Sequence, residues 1–420
     1  MSSPFSYPLP PGVHPIPPSE LDLRPDSEID FILHNPPPVT SDKNIWLFWA
    51  SGLPTLPPHH LRTVRTYHRR FARAGWTVRL LDRAPSSPLN IAHWLDASDA
   101  SLFPAAFSQG TLGGRYAAQH TSDLVRWPLL LTYGGAYVDV GLMPIGDLDA
   151  LWNATIGDPT SPIEVLAYDG GDPPASSPPH RTLTNYFLAA KRHNAFFARC
   201  HALFLRLWAA RTSTDGMSAD PLLRAVPHMD AGALSFTDEE GRVHGPAEVG
   251  VLLSDYIAQG QVMSLVLGLV DAEGGEGAEG WDGPRYAAER VYALEFMAGA
   301  QLVNELTAWD GRRAFELLSL SLPRSDEGEE EGGDQAKARE IVEQCLARSF
   351  AFKLATGLIT RVMGDTLGSL WRAHPGADDV PGTYAAWLRH GMLFWCPDRL
   401  PARVERGVVG PLKVGGLLEE

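Results

Sequence analysis

Three features in close succession restrict what this chain can fold into. Ser122-Asp123-Leu124-Val125-Arg126 lies in a stretch of helical spacing, Gly134-Gly135 breaks it, and the apolar run Ala136-Tyr137-Val138 ends on Asp139. Asp123, Arg126 and Asp139 thus stand at i, i+3 and i+16. An aspartate closing an apolar strand is poorly explained by packing, because a buried carboxylate is costly unless it is paired, hydrogen-bonded or metal-bound. On a helix, Asp123 and Arg126 share a face, and alone they read as a surface ion pair worth a few tenths of a kcal/mol. The Gly-Gly reversal changes that reading, because it lets the strand carry Asp139 back beside them. Ligands of open α/β sheets collect at the carboxyl ends of strands.

The flanking sequence supports a sheet. Asn44 to Trp49 reads as a strand, and Leu61, Val64, Tyr67 and Phe71 recur at helical spacing until Gly75. Thr77 to Leu81 is a second strand. This β-α-β opening predicts an α/β domain with a largely parallel sheet. Residues 115–133 read as a helix that Pro128 kinks or splits in two, followed by strands at 136–139, 163–168 and 186–190 and a helix near 195–210. Beyond residue 215 the spacing is mostly helical, over 251–269, 285–319, 337–358 and 382–396. Gly/Glu-rich loops at 271–280 and 326–334 read as solvated and mobile. The expected organisation is a proline-rich N-terminal arm or surface wrap (1–40), an α/β domain (41–215) and a mostly helical part (216–420).

The formal charge of −15 argues against non-specific binding to nucleic acid or anionic membranes, which attract basic surfaces. Cys200, Cys345 and Cys396 are too few and scattered for a disulfide framework or zinc site, so a reducing, cytoplasmic setting is expected. No apolar run reaches the roughly 18 residues of a membrane span. The first residues carry prolines where a signal peptide has a charged and then an apolar region.

The order Ser-Asp-x-x-Arg followed by Tyr-Gly-Gly-x-Tyr-x-Asp resembles the sugar-binding region of GT-A glycosyltransferases. The resemblance is nearest to the capsular-polysaccharide-synthesis type and the Och1-like mannosyltransferase group, and the large clostridial glucosylating toxins share the helix-to-strand spacing. It is strongest over residues 115–141 and extends weakly to 46–49 and 183–208, about half the chain. It implies a GT-A, Rossmann-like nucleotide-sugar domain with a mostly helical C-terminal half. It also implies a UDP- or GDP-hexose donor, a small-molecule or glycan acceptor, and mostly retention of anomeric configuration. By resemblance Asp123 and Arg126 bind donor sugar hydroxyls. Asp139 opens the D-x-D motif that holds Mn²⁺ or Mg²⁺ against the diphosphate. Trp49, with Trp46 as the lesser candidate, stacks on the nucleotide base, although either tryptophan also suits a core position.

The sequence departs from that pattern at Asp139-Val140-Gly141, which lacks the second aspartate. One carboxylate is a thin ligand set for a hard divalent ion. Asp147 and Asp149 are nearby substitutes, and an arginine or lysine is an alternative means of neutralising the diphosphate. Weaker candidates are His120, His193 with Asn194 (also readable as a helix N-cap), Gly113-Gly114 as a phosphate-approaching loop, and Trp395-Cys396-Pro397-Asp398 as a cover over the donor. Two rival readings remain at this level. One is a non-catalytic descendant that binds a nucleotide, a sugar or a protein partner. The other is a repurposed fold that transfers another activated group, such as an aminoacyl group.

Overall fold

The computed structural model describes residues 6–171, 177–273, 280–323 and 332–420. A six-stranded sheet organises the molecule. Its strands, labelled in chain order, are β1 (Asn44–Phe48), β2 (Thr77–Leu81), β3 (Gly135–Val138), β4 (Val165–Asp169), β5 (Leu183–Ala190) and β6 (Val291–Leu294). The spatial order is β6-β4-β5-β3-β1-β2. Five strands run the same way, and β5 alone is reversed, pairing antiparallel with both β3 and β4. The sheet is therefore mixed, with parallel pairs at its two sides.

Separate apolar layers cover the two faces. One contains Trp46, Trp127, Leu188, Phe204 and Val262; the other contains Ile45, Leu47, Tyr67, Val138 and Phe187. Alternate residues of β1 point to opposite layers, as the period of two requires. A third core, built on Leu317, Ile341, Trp371 and Trp387, belongs to the helical region and also takes in Tyr7 and Val13.

Helix Ala117–Tyr133 is continuous through Pro128 and does not split into two pieces. Ten of its residues, from His120 to Leu130, are buried, and packing of that extent outweighs the backbone hydrogen bond that Pro128 cannot donate. Gly134 and Gly135 then reverse the chain with φ of +67° and +106°. A Cβ on Gly135 would lie 2.3 Å from the Asn44 carbonyl oxygen, so only glycine lets the helix end drop onto β1.

The second half differs from its helical expectation in three places. The 251–269 segment is two helices, Pro246–Tyr256 and Ala258–Leu267, bent by 81°. The 285–319 segment breaks into helix Gly283–Arg290, strand β6, a π turn and helices Leu302–Leu306 and Gly311–Ser319. The 337–358 segment is helix Gly333–Arg348 followed by strand Ala351–Lys353. In the last two cases a short apolar run next to a good helix former extended the helical pattern past its true end. The run Val291-Tyr292-Ala293-Leu294 instead pairs with Val165–Tyr168 at the edge of the main sheet. Helix Tyr384–Phe394 agrees with its expected span.

At the other end of the chain, strand Val13–Pro15 pairs antiparallel with Trp395–Pro397, and helix Asp26–His34 buries Ile29 and Leu33. The segment wraps the molecule. Residues 274–279 and 324–331, which take in most of the Gly/Glu-rich loops expected at 271–280 and 326–334, lie outside the described residues. No single helix among the described residues is long and apolar enough to cross a membrane.

Candidate active site

Asp139 follows β3 directly, and its N–H donates to the Tyr186 carbonyl on the neighbouring strand at 2.9 Å. Arg126 reaches it from the buried side of helix Ala117–Tyr133. One guanidinium nitrogen lies 2.8 Å from Asp123 Oδ1 and 3.0 Å from Gln259 Oε1, and the other lies 2.9 Å from Asp139 Oδ1. Tyr137 supports the guanidinium with its ring, 5.0 Å away, and bonds Ser122 Oγ through its hydroxyl at 2.7 Å. The three residues singled out in the sequence therefore meet. Asp123 and Arg126 form a buried pair, so the surface-pair reading does not hold.

The surroundings brace this cluster. Asp123 Oδ2 contacts His120 Nδ1 at 3.1 Å, and His120 Nε2 in turn contacts Thr214 Oγ1 at 2.9 Å. Asn185 Nδ2 donates to Asp123 Oδ1, and Gln259 Nε2 donates to the Asp123 carbonyl. His120 thus orients the aspartate. Lys353 is the member that sequence reading missed. Its Nζ lies 2.6 Å from Asp139 Oδ2 and 5.4 Å from the centre of the Tyr186 ring. It arrives because Ala351–Lys353 pairs antiparallel with Leu142–Pro144, with Lys353 opposite Leu142.

Burial opposes ionisation of Asp139, but Lys353 and Arg126 outweigh it and hold the carboxyl below its usual range. Burial likewise works against a charged Arg126, and the two aspartates overcome it and push the guanidinium upward. Burial pushes the Tyr137 hydroxyl up to about 12.

The two tryptophans divide clearly. Trp46 is fully buried, with Nε1 donating to the Gly134 carbonyl at 2.8 Å, and it belongs to the core. Trp49 is half-buried at the open end of β1; its Nε1 donates to Thr55 Oγ1, and the Arg372 guanidinium lies 5.6 Å from its ring. His60 packs beside Trp49, ring centres 5.9 Å apart, and its Cε1 lies 3.4 Å from where a Cβ on Gly141 would stand.

Other candidates are engaged elsewhere. Asp147 caps helix Leu148–Ala154, and Asp149 binds Lys43 and the Trp76 indole, so neither supplements Asp139. Asn194 is the N-cap of helix Ala195–Trp208, and His193 precedes it with φ of +60°. The Gly113 N–H donates to the Thr212 carbonyl. Trp395–Pro397 pairs with the N-terminal strand Val13–Pro15, and Asp398 bonds His14.

Lys353 lay hidden at the tail of an expected helix. The strand signal available was the alternation of Phe350 and Phe352 just before it. Gln259 and Asn185 carry no local signal, since only the packing of helix Ala258–Leu267 against the sheet brings them to Asp123.

A mixed Rossmann-like sheet that delivers an acid beside a helix-borne acid–arginine pair is the architecture of a GT-A-type glycosyltransferase. Comparisons with known sequences agree. Residues 25–216 match the capsular polysaccharide synthesis protein family. The chain is 33% identical to O-glycosyltransferase braB of Annulohypoxylon truncatum over 404 residues, which is 95% of this chain and 91% of that one. It is 34% identical to glycosyltransferase afumC of Aspergillus fumigatus, over 86% of each chain, and 32% identical to O-glycosyltransferase PaGT of Phomopsis amygdali, over 94% and 92%. Among solved structures, the PaToxG glycosyltransferase shares 14% identity over 43% of this chain and 66% of that one, with a TM-score of 0.28. On the strength of the full-length relatives, the chain belongs to this glycosyltransferase family and is an enzyme, which removes the non-catalytic and aminoacyl-transfer readings.

Proposed function

We propose that the enzyme transfers a hexose from a UDP- or GDP-sugar to a hydroxyl of a small soluble acceptor, with retention of anomeric configuration. The observation that carries this reading is the convergence of Asp123, Arg126 and Asp139 at the carboxyl end of β3, with Trp49 at the corresponding end of β1. The acceptor hydroxyl is taken from relatives named O-glycosyltransferases. Three unpaired, buried cysteines support a reducing, cytoplasmic setting.

In this reading Asp123 and Arg126 hold the sugar. An ionised carboxylate offers about four acceptor sites, so Asp123 keeps room for a sugar hydroxyl beside His120, Asn185 and Arg126. Trp49 presents a ring face to the base. As the bond between the anomeric carbon and the phosphate oxygen breaks, positive charge grows on the sugar ring and negative charge on the nucleoside diphosphate. Fixed carboxylates and cations aimed at those two places lower the barrier without reorganising. Retention requires no dedicated base, in keeping with the lack of an unpaired carboxylate among these residues.

The test is a thermal-shift panel of UDP- and GDP-hexoses, followed by assay of nucleoside diphosphate release and the anomeric coupling constant of the product. One donor should stabilise the protein by about 2.7 kcal/mol at a hundred times its Kd. Failure of every donor to shift the folded protein refutes the donor reading, and an inverted product refutes retention.

A further inference from the structure

The aspartate expected to hold a divalent cation is already held by two cations of the protein. Asp139 Oδ1 is taken by Arg126 and Oδ2 by Lys353. The second motif position is Gly141, and the space into which an aspartate would extend is bounded by His60 Cε1 and the Leu354 carbonyl, each 3.4 Å from an ideal Cβ. Among the described residues no group of three or more His, Cys, Asp or Glu side chains is placed to hold a metal ion. A hard cation wants several oxygen ligands, and this donor set does not supply them.

We propose that the Lys353 ammonium, seconded by the Arg372 guanidinium, does at the leaving diphosphate what a divalent cation does in metal-dependent transferases, so that transfer proceeds without one. The inference rests on the nucleotide-sugar reading above. An ammonium has three N–H donors. The recorded acceptor of Lys353 is Asp139 Oδ2, which leaves two donors for phosphate oxygens, and its side chain is 16% exposed. Its position is fixed from both sides. Lys353 pairs with Leu142 in the two-stranded ladder, and the next N–H, that of Leu354, donates to the Gly141 carbonyl at 2.8 Å. The backbone at Lys353 is therefore pinned beside Gly141 and Leu142, and Asp139 Oδ2 is the partner that holds the ammonium.

Arg372, at the end of helix Leu367–Ala373, lies over Trp49 and has no carboxylate partner among the described residues. Lys353 contacts Asp139, His60 lies against Gly141 and Trp49, and Arg372 lies over Trp49, a row of contacts leading from one cation to the other. A diphosphate bridging sugar and base would run along this row. In the step itself, the bond from the anomeric carbon to the terminal phosphate oxygen breaks, and its electron pair stays on that oxygen. The acceptor oxygen forms the new bond to the anomeric carbon. The acceptor's hydroxyl proton passes to the departing phosphate, while Lys353 donates hydrogen bonds to the phosphate and keeps its protons.

The experiment measures nucleoside diphosphate release from UDP-glucose, UDP-galactose, UDP-N-acetylglucosamine and GDP-mannose, with EDTA and with Mn²⁺, alongside thermal shifts by UDP and GDP. The wild type should turn over in EDTA within about twofold of its rate in Mn²⁺. Lys353→Met should lose about 10² to 10³ in kcat, as loss of one charge-stabilising donor does, and Mn²⁺ should not restore it. Lys353→Arg should recover part of the rate. Arg372 is exposed and has no ion-pair partner among the described residues, so Arg372→Gln should keep the wild-type melting temperature and bind UDP or GDP more weakly; it serves as the second reading if Lys353→Met does not fold. A wild type that is active only with Mn²⁺, or a Lys353→Met variant of undiminished kcat, overturns the proposal while leaving the donor reading intact. A folded wild type with neither release nor shift overturns the donor reading itself.

Discussion

Lys353 Nζ and Asp139 Oδ2 lie 2.6 Å apart, although 214 positions separate the two residues in the chain. The contact ties the aspartate at the end of β3 to a strand that follows the long helix Gly333–Arg348. The mostly helical half therefore supplies a charge to the cleft, and β6 supplies an edge to the main sheet. The Asp139–Lys353 contact forms only when both halves of the chain are folded together.

Asp139→Asn tests how much the cluster depends on that charge. The change keeps the shape but leaves Arg126 and Lys353 facing an amide. Breaking a buried pair by removing one partner costs about 3 to 5 kcal/mol, and less is expected here because Asp139 is 22% exposed and Arg126 keeps Asp123. Turnover should fall at least about a hundredfold, with a lowered melting temperature but an unchanged far-UV circular dichroism spectrum. Wild-type turnover in this variant would place the chemistry elsewhere.

The two tryptophans of β1 and its end should respond in opposite ways. Trp46→Ala removes a fully buried ring and its hydrogen bond to the Gly134 carbonyl, and should cost about 3 to 5 kcal/mol in urea unfolding. Trp49→Ala removes a half-buried ring and should cost much less, while the Kd for UDP or GDP measured calorimetrically rises roughly tenfold. Equal stability losses with unchanged nucleotide affinity would make Trp49 a packing residue.

Much of this arrangement is legible in the sequence because it is local. Helix, Gly-Gly break and strand follow one another within 25 residues, so spacing alone brings Asp123, Arg126 and Asp139 together. Trp49 is legible for the same reason, as the residue that ends an apolar strand. Lys353, Gln259 and Asn185 are not, because each reaches the cleft through a contact between distant elements, and such contacts leave no periodicity. The strand β6 was hidden by its neighbours: Ala287-Ala288-Glu289-Arg290 is good helix-forming sequence, and a four-residue apolar run after it is compatible with either state. The uninterrupted helix through Pro128 shows the converse, a strong local breaker overruled by burial.

The Gly134-Gly135 reversal gives a sharp stability test. A Cβ on Gly135 would stand 2.3 Å from the Asn44 carbonyl oxygen and 2.9 Å from that of Asp42, both backbone atoms that cannot swing aside, and φ there is +106°. Gly135→Ala should therefore destabilise by several kcal/mol, on the order of 3 to 5, or fail to give folded protein. Gly376 has φ of +92° but open space around it, so Gly376→Ala isolates the conformational term and should cost about 1 kcal/mol. Similar losses in the two variants would mean that the close approach of strand to helix end is not the constraint.

Buried histidines, His59 and His60 on helix Pro58–Phe71 and His201 on helix Ala195–Trp208, make stability depend on pH in a definite direction. Burial, with Arg389 beside it, lowers His59 to about 4; burial lowers His60 well below its usual value; burial also lowers His201 to about 4. In the unfolded chain each titrates near 6.5. Between about 6.5 and 4 the unfolded state therefore binds more protons than the native state, so stability is complete above 6.5 and falls as pH drops. The slope is up to about 1.4 kcal/mol per pH unit for each histidine. Depressed carboxyls such as Asp139 and Asp378 add their own loss only below about 4. Urea unfolding from pH 7.5 to 4.5 should show proton uptake by these three histidines, to which His68 and His390, also lowered by burial, add. Neither ring nitrogen of His59 has a hydrogen-bond partner, while its carbonyl accepts from Arg389 through the main chain. His59→Leu should thus leave stability at pH 7.5 nearly unchanged and remove about one proton from the slope. An unchanged slope in that variant would show that His59 is not held neutral in the fold.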